Sequence, residues 1–129
     1  MAYNILVVDD SATIRSVIAK TLEIGEVPVS ELFQAGNGQE GLDILKNNWV
    51  DLVFLDINMP VMTGTEMIDR MAADGILSTV PVVIVSTEGS TTRMDQLQAK
   101  GVRAYLRKPF TPEGLKEIVD NILEKADEQ

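Results

Sequence analysis

The sequence predicts an α/β protein built on a doubly wound, five-stranded parallel sheet. Short apolar runs of strand length alternate five times with segments whose apolar residues have helical spacing, which is the pattern of repeated βα units. Three of these runs, 5–8, 52–55 and 82–85, are uninterrupted, as is typical of strands buried on both faces. With 129 residues, 45% of them hydrophobic, we expect a single domain over 1–129.

The first two units differ in strength. A strand over 5–8 precedes a segment whose apolar residues have helical spacing: Ile14, Val17, Ile18 and Leu22. The second strand, over 30–35, is weaker because its apolar residues alternate with polar ones. Asn37 then offers an N-cap with Glu40 three residues later, which predicts the start of the second helix.

The third and fourth units each have a clear strand. The run 52–55 is followed by Thr63 and Glu66, whose spacing predicts a capping box at the start of the third helix. The run 82–85 is followed by Ser90, which we expect to cap the fourth helix.

The fifth unit completes the sheet. A short strand over 104–106 precedes Thr111 and Pro112, a typical N-cap followed by proline at the first helical position. Strands two and five are the weak ones, which suits edges, so we predict the order 2-1-3-4-5 of a flavodoxin-like (βα)5 fold. That order also has precedent among open parallel sheets.

Composition excludes several functions. The 11 basic and 20 acidic residues give a net charge of −9 and a pI of about 4.4, which argues against binding to nucleic acid or to anionic membranes. Cysteine and histidine are both absent, which removes thiolate chemistry and the commonest general base. The chain enters a strand-like run at once and has no apolar run of membrane-spanning length, so we expect a soluble, cytoplasmic protein without membrane insertion.

Three carboxylates follow two neighbouring strands. Asp9 and Asp10 come after strand one and Asp56 after strand three. In the predicted order the winding reverses between these strands, and open α/β sheets bind ligands at that point, outside the carboxyl ends. Like charges this close repel unless a cation sits among them, and carboxylates with open positions suit Mg²⁺. The sequence therefore predicts a magnesium site.

Two further groups reach the same edge. Ser86 ends strand four and Lys108 follows strand five. A metal, an ammonium and a hydroxyl together stabilise a transferring phosphoryl group, and Asp56 is then the natural nucleophile. Each residue also has an ordinary interpretation: Asp9 or Asp10 as a helix cap, Ser86 as a small strand-end residue, Lys108 as a solvated charge. Their joint placement at the ends of four strands favours the phosphoryl site.

Five short motifs contain these residues or flank them: "LVVDD" (6–10), "LDINMP" (55–60), Gly64, "IVST" (84–87) and "KPF" (108–110). On these motifs the chain resembles a response-regulator receiver domain over essentially its whole length, and we expect no further domain. It is similar to single-domain chemotaxis regulators.

The resemblance implies a role for each site residue. Asp56 would be the acceptor that becomes 4-aspartylphosphate, and Asp10 and Asp56 would bind Mg²⁺ directly. The Asn58 backbone carbonyl would be a third ligand, with Asp9 acting mainly through water. Ser86 and Lys108 would contact the phosphoryl group, and Ser86 with Tyr105 would form the switch. The Lys108–Pro109 peptide is usually cis in this family.

Some positions depart from the commonest family pattern. Ser86 stands where threonine is most frequent, and keeps the hydroxyl. Thr87 stands where alanine or glycine is usual, so we expect it to affect access to Asp56 and hence rates. Asn58 and Glu88 occupy positions that tune how water reaches the aspartyl phosphate.

The resemblance also implies partners. We expect a monomeric, non-enzymatic switch that takes its phosphoryl group from a histidine kinase and catalyses only its own phosphorylation and dephosphorylation. It would present helix 4, strand 5 and helix 5 to a downstream protein, with a phosphatase as a further candidate partner. Five of the 11 basic residues lie on this segment, which suits an acidic or amphipathic partner: Arg93, Lys100, Arg103, Arg107 and Lys108.

Chemotaxis is the expected setting, and other interpretations remain open. The chain could be a phosphorelay intermediate, a regulator of another enzyme, or a receiver excised from a longer protein. A phosphatase of the haloacid-dehalogenase type also uses an aspartate nucleophile, but it wants an acid where Asn58 stands. A flavin carrier wants a hydroxyl- or glycine-rich phosphate loop after strand one.

Overall fold

Five strands alternate with five helices in the computed structural model, which describes residues 2–57, 59, 61–87 and 91–127. The elements are β1 Tyr3–Val8, α1 Ala12–Ile24, β2 Val29–Ala35, α2 Gly38–Asn47, β3 Leu52–Leu55, α3 Gly64–Ala73, β4 Val82–Ser86, α4 Thr91–Lys100, β5 Ala104–Arg107 and α5 Pro112–Asp127. The strands pair in parallel in the order β2-β1-β3-β4-β5, which confirms the predicted fold class.

The core lies on both faces of the sheet. On one face, β1, β3 and β4 pack against α1 and α5, with Ile18 and Leu115 among the buried residues. On the other they pack against α2, α3 and α4, with Leu42, Met67 and Leu97 buried. Every residue of β3 and β4 is buried. These central strands therefore hold their carboxyl ends in fixed positions.

Most predicted helix starts are confirmed. The Asn37 side chain accepts a hydrogen bond from the Glu40 N–H at 2.9 Å, and Thr63 and Glu66 form a complete capping box. Helix α5 begins at Pro112, as the sequence predicts. Ser90, the predicted cap of α4, lies outside the described residues.

Two strands begin earlier than predicted. Tyr3 pairs with Val29, and the Tyr3 N–H donates to the Pro28 carbonyl at 2.8 Å, so pairing starts before the apolar runs do. Strand β5 extends to Arg107 because that residue pairs with Ser86. Backbone pairing continues wherever a neighbouring strand is present, whatever the side chain. Within the described ranges, no helix is both long enough and apolar enough to cross a membrane.

Candidate functional site

The acidic side chains of two adjacent strands meet at one edge of the sheet. Asp9 and Asp10 follow β1 directly and Asp56 follows β3. Each of the three contributes a carboxylate oxygen to a group in which all the oxygens lie within 4.8 Å of one another. Asp9 is buried, Asp56 is half-buried and Asp10 is exposed. The predicted convergence of acids is therefore present in the structure.

Asp9 makes four hydrogen bonds. Its Oδ1 accepts the Ser11 N–H at 2.9 Å, and its Oδ2 accepts the Lys108 ammonium at 3.2 Å. Its backbone carbonyl accepts Arg15 Nη1 at 2.6 Å, and its N–H donates to the Ala35 carbonyl at 3.0 Å. Only 2% of Asp9 is exposed, so its charge depends on these partners.

The interpretation of Asp9 or Asp10 as the cap of the first helix is wrong. The N-cap is Ser11, whose hydroxyl accepts the Ile14 N–H at 3.2 Å. Asp9 instead turns back to the Ser11 N–H, which leaves its other oxygen for Lys108. Asp10 faces solvent beside the crevice.

The acids fit a magnesium ion. Mg²⁺ usually takes one or two carboxylates, keeps several waters and requires oxygen ligands. Asp10 and Asp56 are the more accessible members of the acid group, while both Asp9 oxygens already accept hydrogen bonds. The arrangement suits Asp10 and Asp56 as the two carboxylates that would bind the ion directly. Asn58, whose carbonyl is the third expected ligand, lies outside the described residues.

The hydroxyl and the ammonium also come from strand ends at this edge. Ser86 is the last residue of β4 and is completely buried. The Lys108 backbone N–H donates to the Ser86 carbonyl at 2.9 Å, which ties the ends of β4 and β5 together. The Lys108 side chain is only 16% exposed where it meets Asp9, so it is not a solvated surface charge. The Lys108–Pro109 peptide is cis, as the resemblance implies.

Three further residues were predicted to control access, switching or phosphoryl decay: Thr87, Tyr105 and Glu88. Thr87 is exposed immediately after β4. Tyr105 is half-buried and packs against the core on the α2–α4 face of the sheet. Glu88, one of the residues expected to tune phosphoryl decay, lies outside the described residues.

Asp56 and Ile57 pack tightly against the start of helix α3. A Cβ on Gly64 would lie 2.3 Å from the Asp56 carbonyl oxygen and 2.7 Å from the Ile57 Cα, so only glycine fits. The Gly64 N–H donates to the Ile57 carbonyl at 2.8 Å, and the Asp56 N–H donates to Val8 at 3.0 Å. Val61, shortly before α3, has a φ of 68° and is 82% exposed, which is a strained backbone for a β-branched residue.

The basic residues of α4 and β5 do not form one free patch. Lys100 pairs with Asp69 of α3 at 2.8 Å, and Arg93 donates to the Thr65 hydroxyl at 3.2 Å. Lys108 belongs to the crevice. Arg103 and Arg107 remain exposed on either side of Tyr105. The exposed basic surface is therefore smaller than the five basic residues of the sequence predict.

Sequence reasoning missed Ser11 and Arg15. Ser11 follows two aspartates in a stretch with three candidate caps. Arg15 had one available signal: it is a cation in the first turns of a helix, where the helix dipole disfavours positive charge.

The fold and the strand-end crevice define a class of protein, the receiver domains of response regulators. The family model of the response regulator receiver domain matches residues 5–120, and the chain belongs to this family.

Several of the similar proteins are named as chemotaxis proteins. The chain is 37% identical to a chemotaxis protein CheY homologue of Campylobacter jejuni over 122 residues, which cover 93% of this chain and 92% of that one. It is 32% identical to the chemotaxis protein CheY of Pseudomonas aeruginosa, covering 95% and 98%. The solved structure of the Vibrio cholerae chemotaxis protein CheY4 superimposes with a TM-score of 0.83 at 30% identity, covering 95% of this chain and 99% of that one.

Proposed function

We propose that this chain is a single-domain, phosphoaccepting switch of a two-component system that acts in chemotaxis. The observation that carries the proposal is the meeting of three carboxylates with a lysine at the carboxyl ends of the strands. A structural ion pair between Lys108 and Asp9 would not require Asp10 and Asp56 beside it. The chemotaxis setting rests on the relatives, which are named for that process.

In the proposed reaction an Asp56 carboxylate oxygen attacks the phosphorus of a histidine kinase's phosphohistidine. The phosphorus–nitrogen bond breaks, an aspartyl phosphate forms, and the imidazole leaves and takes up a proton from water. Asp10, Asp56 and the Asn58 carbonyl would hold Mg²⁺, which would neutralise charge on the phosphoryl oxygens. Lys108 moves its ammonium from Asp9 towards the new phosphoryl oxygens.

The signal to a downstream partner would arise from movements of Ser86 on β4 and Tyr105 on β5. Ser86 would donate its hydroxyl to a phosphoryl oxygen, and the space it leaves would be taken by Tyr105 turning inward. The exposed pair Arg103 and Arg107 on β5 then favours an acidic or amphipathic downstream partner at the α4–β5–α5 face.

A small-molecule phosphodonor tests the acceptor directly. Wild-type protein, treated with acetyl phosphate and Mg²⁺, should gain the mass of one phosphoryl group, and Asp56→Asn should gain none, because an amide is a poor nucleophile. Asp95→Asn is the matched control, since it removes an exposed carboxylate on α4. Labelling of Asp56→Asn at the wild-type rate would refute the assignment.

A further inference from the structure

Arg15 is a basic residue in a place where a helix disfavours one. It is the fourth residue of α1, whose first turn contains no acid to compensate a cation. The N-terminal end of a helix carries partial positive charge, so a cation in its first turns is unfavourable. Some other contact must offset this cost.

The compensating contacts link Arg15 to the loop that carries the acids. Nη1 donates to the Asp9 carbonyl at 2.6 Å, and Nε donates to Gln34 Oε1 on β2 at 3.1 Å. The guanidinium also passes close to the Gly36 backbone, since a Cβ there would lie 3.9 Å from Nη1, an ordinary van der Waals contact. Two directed bonds from one planar group fix its orientation, which lysine cannot reproduce.

The bonded carbonyl is the one that immediately precedes Asp10. Because the peptide unit is planar, a fixed Asp9 carbonyl also fixes the N–H and Cα of Asp10. The Asp9 side chain is already held by Ser11 and Lys108. Asp10 is exposed rather than packed in the core, so its direction depends on the backbone beneath it.

We propose that Arg15 is the positioning residue of the acid crevice: it fixes the Asp9–Asp10 peptide and thereby directs the Asp10 carboxylate toward the cation. This inference rests on the proposed function, because it assigns Arg15 a part in Mg²⁺ binding. Arg15 touches neither the cation nor the phosphoryl group. It acts through the backbone, in the way that residues behind metal ligands tune affinity by orienting them.

The test measures Mg²⁺ affinity by calorimetry in wild type, Arg15→Lys and Arg15→Met. Both variants should bind Mg²⁺ about tenfold more weakly, the scale on which such orienting partners act. Arg15→Lys should not rescue, because the role is directional. Gln34→Ala, which removes only the second bond, should give a smaller loss in the same direction. Arg70→Lys, an exposed arginine on α3, is the control and should bind as wild type does.

Two further readouts separate positioning from a merely structural role. Phosphorylation by acetyl phosphate should need more Mg²⁺ in Arg15→Lys, while its rate at saturating Mg²⁺ should stay within about twofold of wild type. A purely structural arginine would instead lower the metal-free melting temperature and leave the Mg²⁺ dissociation constant unchanged, and that result overturns the inference. If wild type is phosphorylated and Arg15→Lys binds Mg²⁺ as tightly as wild type does, the inference is overturned. The proposed function then remains intact. Wild-type protein without any Mg²⁺ response would overturn the proposed function.

Discussion

Removing one charge from the acid crevice should raise the stability of the metal-free protein. The carboxylate oxygens of Asp10 and Asp56 lie within 4.8 Å. Two unit charges at that separation repel by about 0.9 kcal/mol in water and by about 3.5 kcal/mol at an effective dielectric constant of 20. Asp10 is exposed, so the lower value applies, and Asp9 adds little because Lys108 balances it. Asp10→Asn should therefore gain about 1 kcal/mol, which is about 3–5 °C in Tm for a domain of this size.

Magnesium should reverse the order of the two proteins. At ten times Kd, Mg²⁺ stabilises wild type by about 1.4 kcal/mol through mass action. Asp10→Asn loses a proposed direct ligand and should gain little. Its melting curve should lie above that of wild type in EDTA and below it in saturating Mg²⁺, a crossing that a general change in stability does not produce.

Thermal unfolding followed by circular dichroism, with and without Mg²⁺, measures both effects. Asp95→Asn on α4 makes the same change in net charge away from the crevice, so it controls for the overall acidity of the protein. A wild-type Tm that millimolar Mg²⁺ does not move would refute the reasoning. So would an Asp10→Asn variant that melts below wild type in EDTA.

The remaining predictions follow from individual contacts. Lys108→Ala should lower Tm, because it leaves the buried Asp9 carboxylate without its cation, and it should uncouple phosphorylation from partner binding; normal partner capture by the phosphorylated variant would contradict this. Thr87→Ala should change the phosphorylation or decay rate measured with acetyl phosphate, because Thr87 is exposed beside the end of β4; identical rates would mean that it does not gate access. Val61→Gly should raise the free energy of unfolding by about 0.5–1 kcal/mol in urea titrations by relieving the positive φ, while Val61→Ala should gain less. The fluorescence of Trp49, at the opposite end of β3 and roughly 20 Å away, should respond little to Mg²⁺.

The pairing of distant strands could be predicted from the sequence because each strand is marked by its own short run of residues. The run 52–55 is apolar throughout, and a run buried on both faces belongs in the middle of a parallel sheet. The meeting of Asp10 and Asp56 follows from the strand order alone, since parallel strands end at one edge. Helix caps such as Thr63 with Glu66 were equally readable, because both partners lie within one turn.

The sequence could not predict which of several suitable side chains would form a given hydrogen bond or ion pair. Asp9, Asp10 and Ser11 are all good caps, and the cap is Ser11 because Asp9 is engaged by Lys108, 99 residues away. The neutralisation of Lys100 by Asp69 likewise joins residues 31 positions apart. No local pattern carries the distance between such partners, so the sequence overestimated the free positive charge of α4.

The contact between Gly64 and the Asp56 carbonyl has a consequence for how motion in this protein should be measured. With no side chain between them, the start of helix α3 packs directly against the main chain of the proposed acceptor, and we expect the two to move together. Helix α3 is then a natural reference frame. Distances from a spectroscopic label on the exposed side of α3 to labels on α4 or β5 would record the displacement of those elements alone, because the origin of the measurement stays attached to the acceptor itself.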